Sequence, residues 1–143
     1  MIIDYAYYQD GRRREEGTVP LQQAAARAAQ GGFVWLELSE PGEEELAQLH
    51  DTFGLHELAI EDALDSHTRP KIENYEQDMQ LVILRTARYD DAAEEVEFGQ
   101  ISVFLAPTFV IMVRQGPATE LRGVRQRLEQ RPDLLAVGSA SVL

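Results

Sequence analysis

Gln100-Ile101-Ser102-Val103-Phe104-Leu105-Ala106-Pro107-Thr108-Phe109-Val110-Ile111-Met112-Val113-Arg114 is two apolar, β-branched runs parted by a proline-centred turn. Valine, isoleucine and phenylalanine favour a pleated, packed surface, and Ala106-Pro107-Thr108 leaves room only for a tight reversal. The stretch therefore reads as two antiparallel strands. Ile101 to Val113 is about 13 residues with Pro107 inside it, well short of the roughly 20 a membrane helix needs.

Working upstream, Met79 to Tyr89 forms a longer strand and Lys71 to Tyr75 a short alternating one, with the polar Asp90 to Glu94 as a connection. Four strands with short connections make an antiparallel meander. The first half differs. Met1 to Tyr8 and Phe33 to Leu38 read as strands, Trp35 being a core residue, with Asp10-Gly11 a turn and Arg12-Arg13-Arg14-Glu15-Glu16-Gly17 a charged run after it. Helices are expected over Pro20 to Ala29, from about Pro41 to Phe53, and over Glu57 to Leu64. Pro20 and the alanines support the first. Leu46, Leu49 and Phe53 give the second one buried face. Leu58, Ala59 and Ala63 are expected to be buried in the third. Glu120 to Gln130 reads as a last amphipathic helix, with Arg122, Arg125, Arg127 and Arg131 on a solvated face.

The chain has 143 residues, 44% of them hydrophobic, which fits one globular domain over residues 1–143. Twenty-five Asp and Glu against 13 Lys and Arg give a net charge of −12. Such a surface repels nucleic acid and concentrates cations. With no cysteine, disulfides, thiolate metal sites and cysteine nucleophiles are excluded. Met1-Ile2-Ile3-Asp4 is no signal peptide. Leu134 to Leu143 is apolar without a stop signal, and is read as a chain cut before a further segment.

Chemistry concentrates in Phe53-Gly54-Leu55-His56-Glu57-Leu58-Ala59-Ile60-Glu61-Asp62-Ala63-Leu64 and the following Asp65 to Glu73. Glu61, Asp62 and Asp65 fall in the last turns of a helix, where the dipole disfavours carboxylates. Something positive is required. Arg69 and Lys71 just downstream are one answer, and a divalent cation is the other. Neighbouring helical residues point about 100° apart, so Glu61 and Asp62 do not readily chelate one ion together. His50, His56 and His67 lack the spacing of a helical zinc pair. No Gly-x-Ser-x-Gly elbow and no phosphate loop is present, so catalysis has no support. A soluble metal-dependent hydrolase using Asp62, Asp65 and Glu61 would need further carboxylates from elsewhere in the chain.

His56-Glu57-Leu58-Ala59-Ile60-Glu61-Asp62 followed by His67-Thr68-Arg69-Pro70-Lys71 resembles the cytoplasmic-domain motif of the CorA family of Mg²⁺ transporters, with Glu57 where proline is usual. The likeness runs from about Phe33 to the end. It implies an α+β fold, a mixed and largely antiparallel β-sheet sandwiched between layers of α-helices. It implies a cytoplasmic regulatory domain of an inner-membrane Mg²⁺ channel, or one for Co²⁺ or Ni²⁺, that senses divalent cations and gates the pore. The stalk and membrane helices would follow. Homopentamers are implied, with regulatory Mg²⁺ between subunits held by Asp62 and by Glu61. A zinc-transporting relative is the alternative within the same architecture.

Overall fold

The runs on either side of Pro107 do form neighbouring antiparallel strands. A computed structural model describes residues 2–10, 12–15, 25, 26, 28, 31–64, 69–75, 78–116, 122–131, 133 and 138. Its strands are β1 (Ile2–Gln9), β2 (Arg12–Glu15), β3 (Phe33–Ser39), β4 (Lys71–Tyr75), β5 (Met79–Asp90), β6 (Glu95–Ala106) and β7 (Phe109–Gln115). The helices are α1 (Glu43–Phe53), α2 (Glu57–Leu64) and α3 (Arg122–Glu129). The expected helix over Pro20 to Ala29 lies mostly outside the described residues, although Ala25, Ala26 and Ala28 are helical. Residues 65–68 and 134–137 also lie outside them, as do 139–143.

All seven strands join one sheet in the order β2-β1-β3-β7-β6-β5-β4. The expected meander occupies half of it. Only β3 and β7 run parallel, from Val34↔Phe109 to Ser39↔Arg114. Parallel neighbours need a long crossover; here α1, α2 and the first three meander strands supply it. One strand was not anticipated. Arg12 to Glu15 lacks apolar alternation, but it pairs only with β1 at the sheet edge, where charged residues are tolerated and discourage further pairing.

Residue parity divides the core between the two sheet faces. Val34, Leu36, Leu38, Leu81, Ile83, Phe104, Ile111 and Val113 pack on one face with Leu49 of α1 and Ala59 and Ala63 of α2. Phe33, Trp35, Val82, Val103, Val110 and Met112 pack on the other, where Leu128 of α3 joins them. Tyr8 stacks on Phe33 with ring centroids 5.3 Å apart and donates to Glu129 Oε1 at 2.7 Å. The sheet thus lies between helices, as the α+β expectation has it. Glu37, buried in the second face, meets Arg114 Nε of the adjacent strand at 3.4 Å, so this interior charge is paired.

Leu58 departs from expectation: it is 59% exposed. Ala59 and Ala63 sit one turn apart and bring α2 close to the sheet, and one residue back is about 100° around the helix, facing outward. Gly54 closes α1 at φ 67°, donating its N–H to His50 O at 2.9 Å. Only glycine adopts that conformation freely. Between Gly54 and the start of α2 there are two residues, so this cap aims α2.

Ile111→Ala, at a fully buried position of the central strand β7, is expected to lower stability by about 2–5 kcal/mol. Leu58→Ala is expected to change it by less than about 0.5 kcal/mol. Urea denaturation of the two variants measures both.

Candidate metal centre

The acid-bearing helix α2 is fixed at both ends by side chains. At its start, His56 Nδ1 accepts the Leu58 N–H at 3.1 Å, and His56 O accepts the N–H groups of Ala59 and Ile60 at 3.0 and 3.1 Å. Glu57 is the first helical residue. Its carboxylate there suits the positive end of the helix dipole, and proline is equally suited because that N–H needs no helical partner. His50 is structural too: its Nδ1 lies 2.6 Å from Leu55 O, so that nitrogen carries the proton.

The other end of α2 has no basic residue in its last turn. Neutral donors from the sheet serve instead. Gln100 Nε2 and Ser102 Oγ of β6 donate to Ala63 O at 3.2 and 3.3 Å, and Gln115 Nε2 of β7 donates to Leu64 O at 3.4 Å. Arg85 Nη1 of β5 donates to Gln100 Oε1 at 3.1 Å. Arg85, Gln100 and Gln115 are register partners on three adjacent strands, forming a polar row across an otherwise apolar face. Buried carbonyls without donors would cost about 1–3 kcal/mol each, so the row locates the helix end as well as satisfying it.

With α2 held this way, Asp62 faces β4. Period-two alternation puts Lys71, Glu73 and Tyr75 on one face of that strand. Lys71 Nζ donates to Asp62 Oδ2 at 3.1 Å and to Glu73 Oε1 at 2.9 Å. The Tyr75 hydroxyl lies 3.1 Å from Asp62 Oδ2 and 2.9 Å from Glu73 Oε2. Its single proton serves one carboxylate at a time. Two carboxylates are thus bridged by one ammonium and one phenol. His56 flanks the phenol with ring centroids 5.6 Å apart.

The electrostatics follow from the contacts. Hydrogen bonds from Lys71 and then from Tyr75 hold the Glu73 carboxyl below its usual range. Bonds to Glu73 and then to Asp62 push the Lys71 ammonium up. Burial, then the bond to Glu73, pushes the Tyr75 phenol strongly up, so it keeps its proton.

Of the sequence candidates, Asp62 is half-buried inside this cluster and Glu61 is exposed on the next position of the helix. Asp65 and His67 lie outside the described residues. Among the described residues no group of three or more His, Asp or Glu is arranged to hold a metal ion. Asp62 and Glu73 already gather around a cation, the Lys71 ammonium, and their oxygens are the hard ligands Mg²⁺ takes. This donor set fits a divalent cation in part, since six or more oxygens are needed and one chain offers two carboxylates. Glu73 and Tyr75 were not singled out from sequence; the signal was the alternation after Pro70, which aligns them with Lys71.

The model of the CorA-like Mg²⁺ transporter protein family matches residues 30–141. The chain belongs to the CorA family. The cobalt/magnesium transport protein CorA of Thermotoga maritima is 27% identical over 111 residues, covering 77% of this chain and 31% of that protein. This CorA-family chain therefore spans about a third of that relative's length. In fold it resembles the full-length CmaX protein, with a TM-score of 0.69 at 23% identity over 99% of this chain and 42% of that one. It also resembles the ZntB cytoplasmic domain of Vibrio parahaemolyticus, with a TM-score of 0.64 at 16% identity over 90% and 50% of the two chains. Among the described residues no helix is long and apolar enough to cross a membrane.

Gln100→Leu removes one of the two donors to the buried Ala63 carbonyl and is expected to cost about 0.5–1.5 kcal/mol, read by urea denaturation. For Lys71→Met the expectation concerns pH. Glu73 has a lowered pKa when folded, so its contribution is present above the ordinary glutamate range and is lost as pH falls through its lowered value. Lys71 has a raised pKa, so its contribution is full below the ordinary lysine value and is lost as pH rises through the raised one. The stability deficit of Lys71→Met is expected to be flat around neutrality and to shrink at both extremes, which thermal unfolding across pH measures.

Proposed function

We propose that this chain is the cytoplasmic domain of a membrane transporter for Mg²⁺, with Co²⁺ or Ni²⁺ as further cargo, and that Asp62 senses the cation and biases the pore. The observation that carries the reading is the Asp62–Lys71–Glu73 cluster, a pair of carboxylates held together by one exchangeable ammonium at the surface. Membership of the CorA family supports the transport role.

In this reading Asp62 releases Lys71 when a divalent cation is available, and Glu73 retains the ammonium. Glu61 stands exposed on the adjacent helical position and contributes to the acidic face. A neighbouring protomer of a homopentamer supplies the remaining oxygens, since this chain's own set is incomplete. A bound regulatory Mg²⁺ supplies charge that lets two acidic faces approach. When the ion is scarce, Asp62 returns to Lys71, the faces repel and the pore opens. The switch is a difference in cation affinity between the two arrangements.

The likeness to the ZntB cytoplasmic domain supports a second reading, the same domain serving a zinc-transporting relative. Flux measurements with Mg²⁺ and Zn²⁺ on the protein carrying its membrane region separate the two. The sensing role is tested in the same preparation. Asp62→Ala is expected to abolish Mg²⁺-dependent closure, and Lys71→Met to bring closure to several-fold lower Mg²⁺, because a competing cation is gone. Unchanged closure in Asp62→Ala would falsify the assignment.

A further inference from the structure

Two donors, not one, cover the same Asp62 oxygen. Lys71 Nζ and the Tyr75 hydroxyl each lie 3.1 Å from Oδ2. Glu73 holds both as well, but on separate oxygens, Lys71 on Oε1 and Tyr75 on Oε2, each at 2.9 Å. The four groups close a ring. On β4, Glu73 accepts from the residues two before it and two after it, and alternation places all three side chains on one face. That half of the ring belongs to the strand and stands without Asp62.

The donors lie deeper than the acids. The Lys71 side chain is 28% exposed, against 38% for Asp62 and 42% for Glu73. Tyr75 packs its ring against the core of the first sheet face, with the His56 ring 5.6 Å away. A phenol anchored in this way keeps its hydroxyl in one place. An ion arriving from solvent therefore meets the carboxylates before it meets either donor.

Charge decides which ions displace the donors, because attraction at a given separation scales with the charge of the ion. A monovalent ion that takes the place of the ammonium exchanges one positive charge for another. It also deprives Asp62 of the Tyr75 hydroxyl, and gains nothing that offsets the loss. A divalent cation brings twice the charge to a cluster that two carboxylates and one ammonium leave negative. The phenol acts separately from the ammonium because it is neutral. Its bond to Oδ2 must be given up for any cation, so its effect weighs most on the ions attracted least. Its proton then serves Glu73, which already lies within bonding distance.

We propose that Lys71 and Tyr75 form a guard over Asp62 Oδ2 that keeps K⁺ and Na⁺ off the site and admits divalent cations. Glu73 is the acceptor that receives both donors when they are displaced. Lys71 and Tyr75 are positioning residues that set specificity, since they act through Asp62 and not on the ion. The inference rests on the reading of Asp62 as a cation ligand and adds which ions that ligand answers to.

The test is the Mg²⁺ concentration that gives half of the Mg²⁺-dependent rise in unfolding temperature, measured on the protein with its membrane region. Each variant is titrated in about 0.3 M KCl and in N-methyl-D-glucamine chloride at the same ionic strength, so that screening is equal. Only the small cation differs. Wild type is expected to give the same midpoint in both salts. Lys71→Met/Tyr75→Phe is expected to give a midpoint several-fold higher in KCl, and each single variant a smaller difference of the same sign. Lys71→Arg, which keeps a cation in place, is expected to retain the indifference of wild type. A role confined to packing would move the midpoint equally in the two salts. A double variant indifferent to K⁺, or a wild type as sensitive as that variant, overturns the proposal. Asp62→Ala separates this failure from one beneath it. If Asp62→Ala loses the Mg²⁺ response and the double variant ignores K⁺, the guard alone falls; if Asp62→Ala responds as wild type does, the ligand assignment falls and the guard with it.

Discussion

The end of α2 sets the condition on which the candidate site depends. A helix of eight residues with carboxylates in its second half and no cation in its last turn leaves its terminal carbonyls facing the interior. The sheet supplies donors there through Gln100, Ser102 and Gln115, while Lys71 stands beside the acids. Separating these tasks has a consequence. Neutral amides and a hydroxyl fix the helix whatever the ionic conditions, so the Lys71 ammonium is free of structural duty at the carbonyls and can respond to the charge around Asp62. Had an arginine in α2 done both, exchanging it for another cation would have released the helix.

Much of the fold is legible in the sequence because β-branched runs and turn residues coincide. Ala106-Pro107-Thr108 leaves no alternative to a hairpin, and Lys71 to Tyr75 alternates cleanly. The parallel β3–β7 contact is a different matter. Nothing local in Phe33 to Leu38 says which distant strand it joins, since that choice is made by burying two apolar strands side by side. Arg12 to Glu15 shows the opposite failure: an edge strand needs no apolar pattern when one neighbour supplies all its hydrogen bonds. Leu58 illustrates a third. Hydrophobicity alone suggested burial, but Ala59 and Ala63 determine which side of α2 approaches the sheet.

The site was legible in its acids and not in its partners. Asp62 stands out because carboxylates near a helix C-terminus need compensation, and Lys71, with Arg69, is a cation close enough in sequence to supply it. Glu73 and Tyr75 carried a weaker signal, alternate positions on a strand whose partner helix is unknown from sequence. Gln100 and Ser102 are the polar residues at the start of an otherwise apolar run. Two polar residues at alternate positions, both on the same buried face, must bond to something there. Only the packing of α2 reveals that the something is a helix end.

Anomalous diffraction from crystals of the protein with its membrane region, grown in Co²⁺, addresses the ion-sensing account most directly. The account predicts cobalt density against the Asp62 carboxylate, shared with a neighbouring protomer, and the Lys71 side chain withdrawn toward Glu73. Cobalt bound at full occupancy elsewhere in the cytoplasmic region, with the Asp62–Lys71 contact undisturbed, would contradict it.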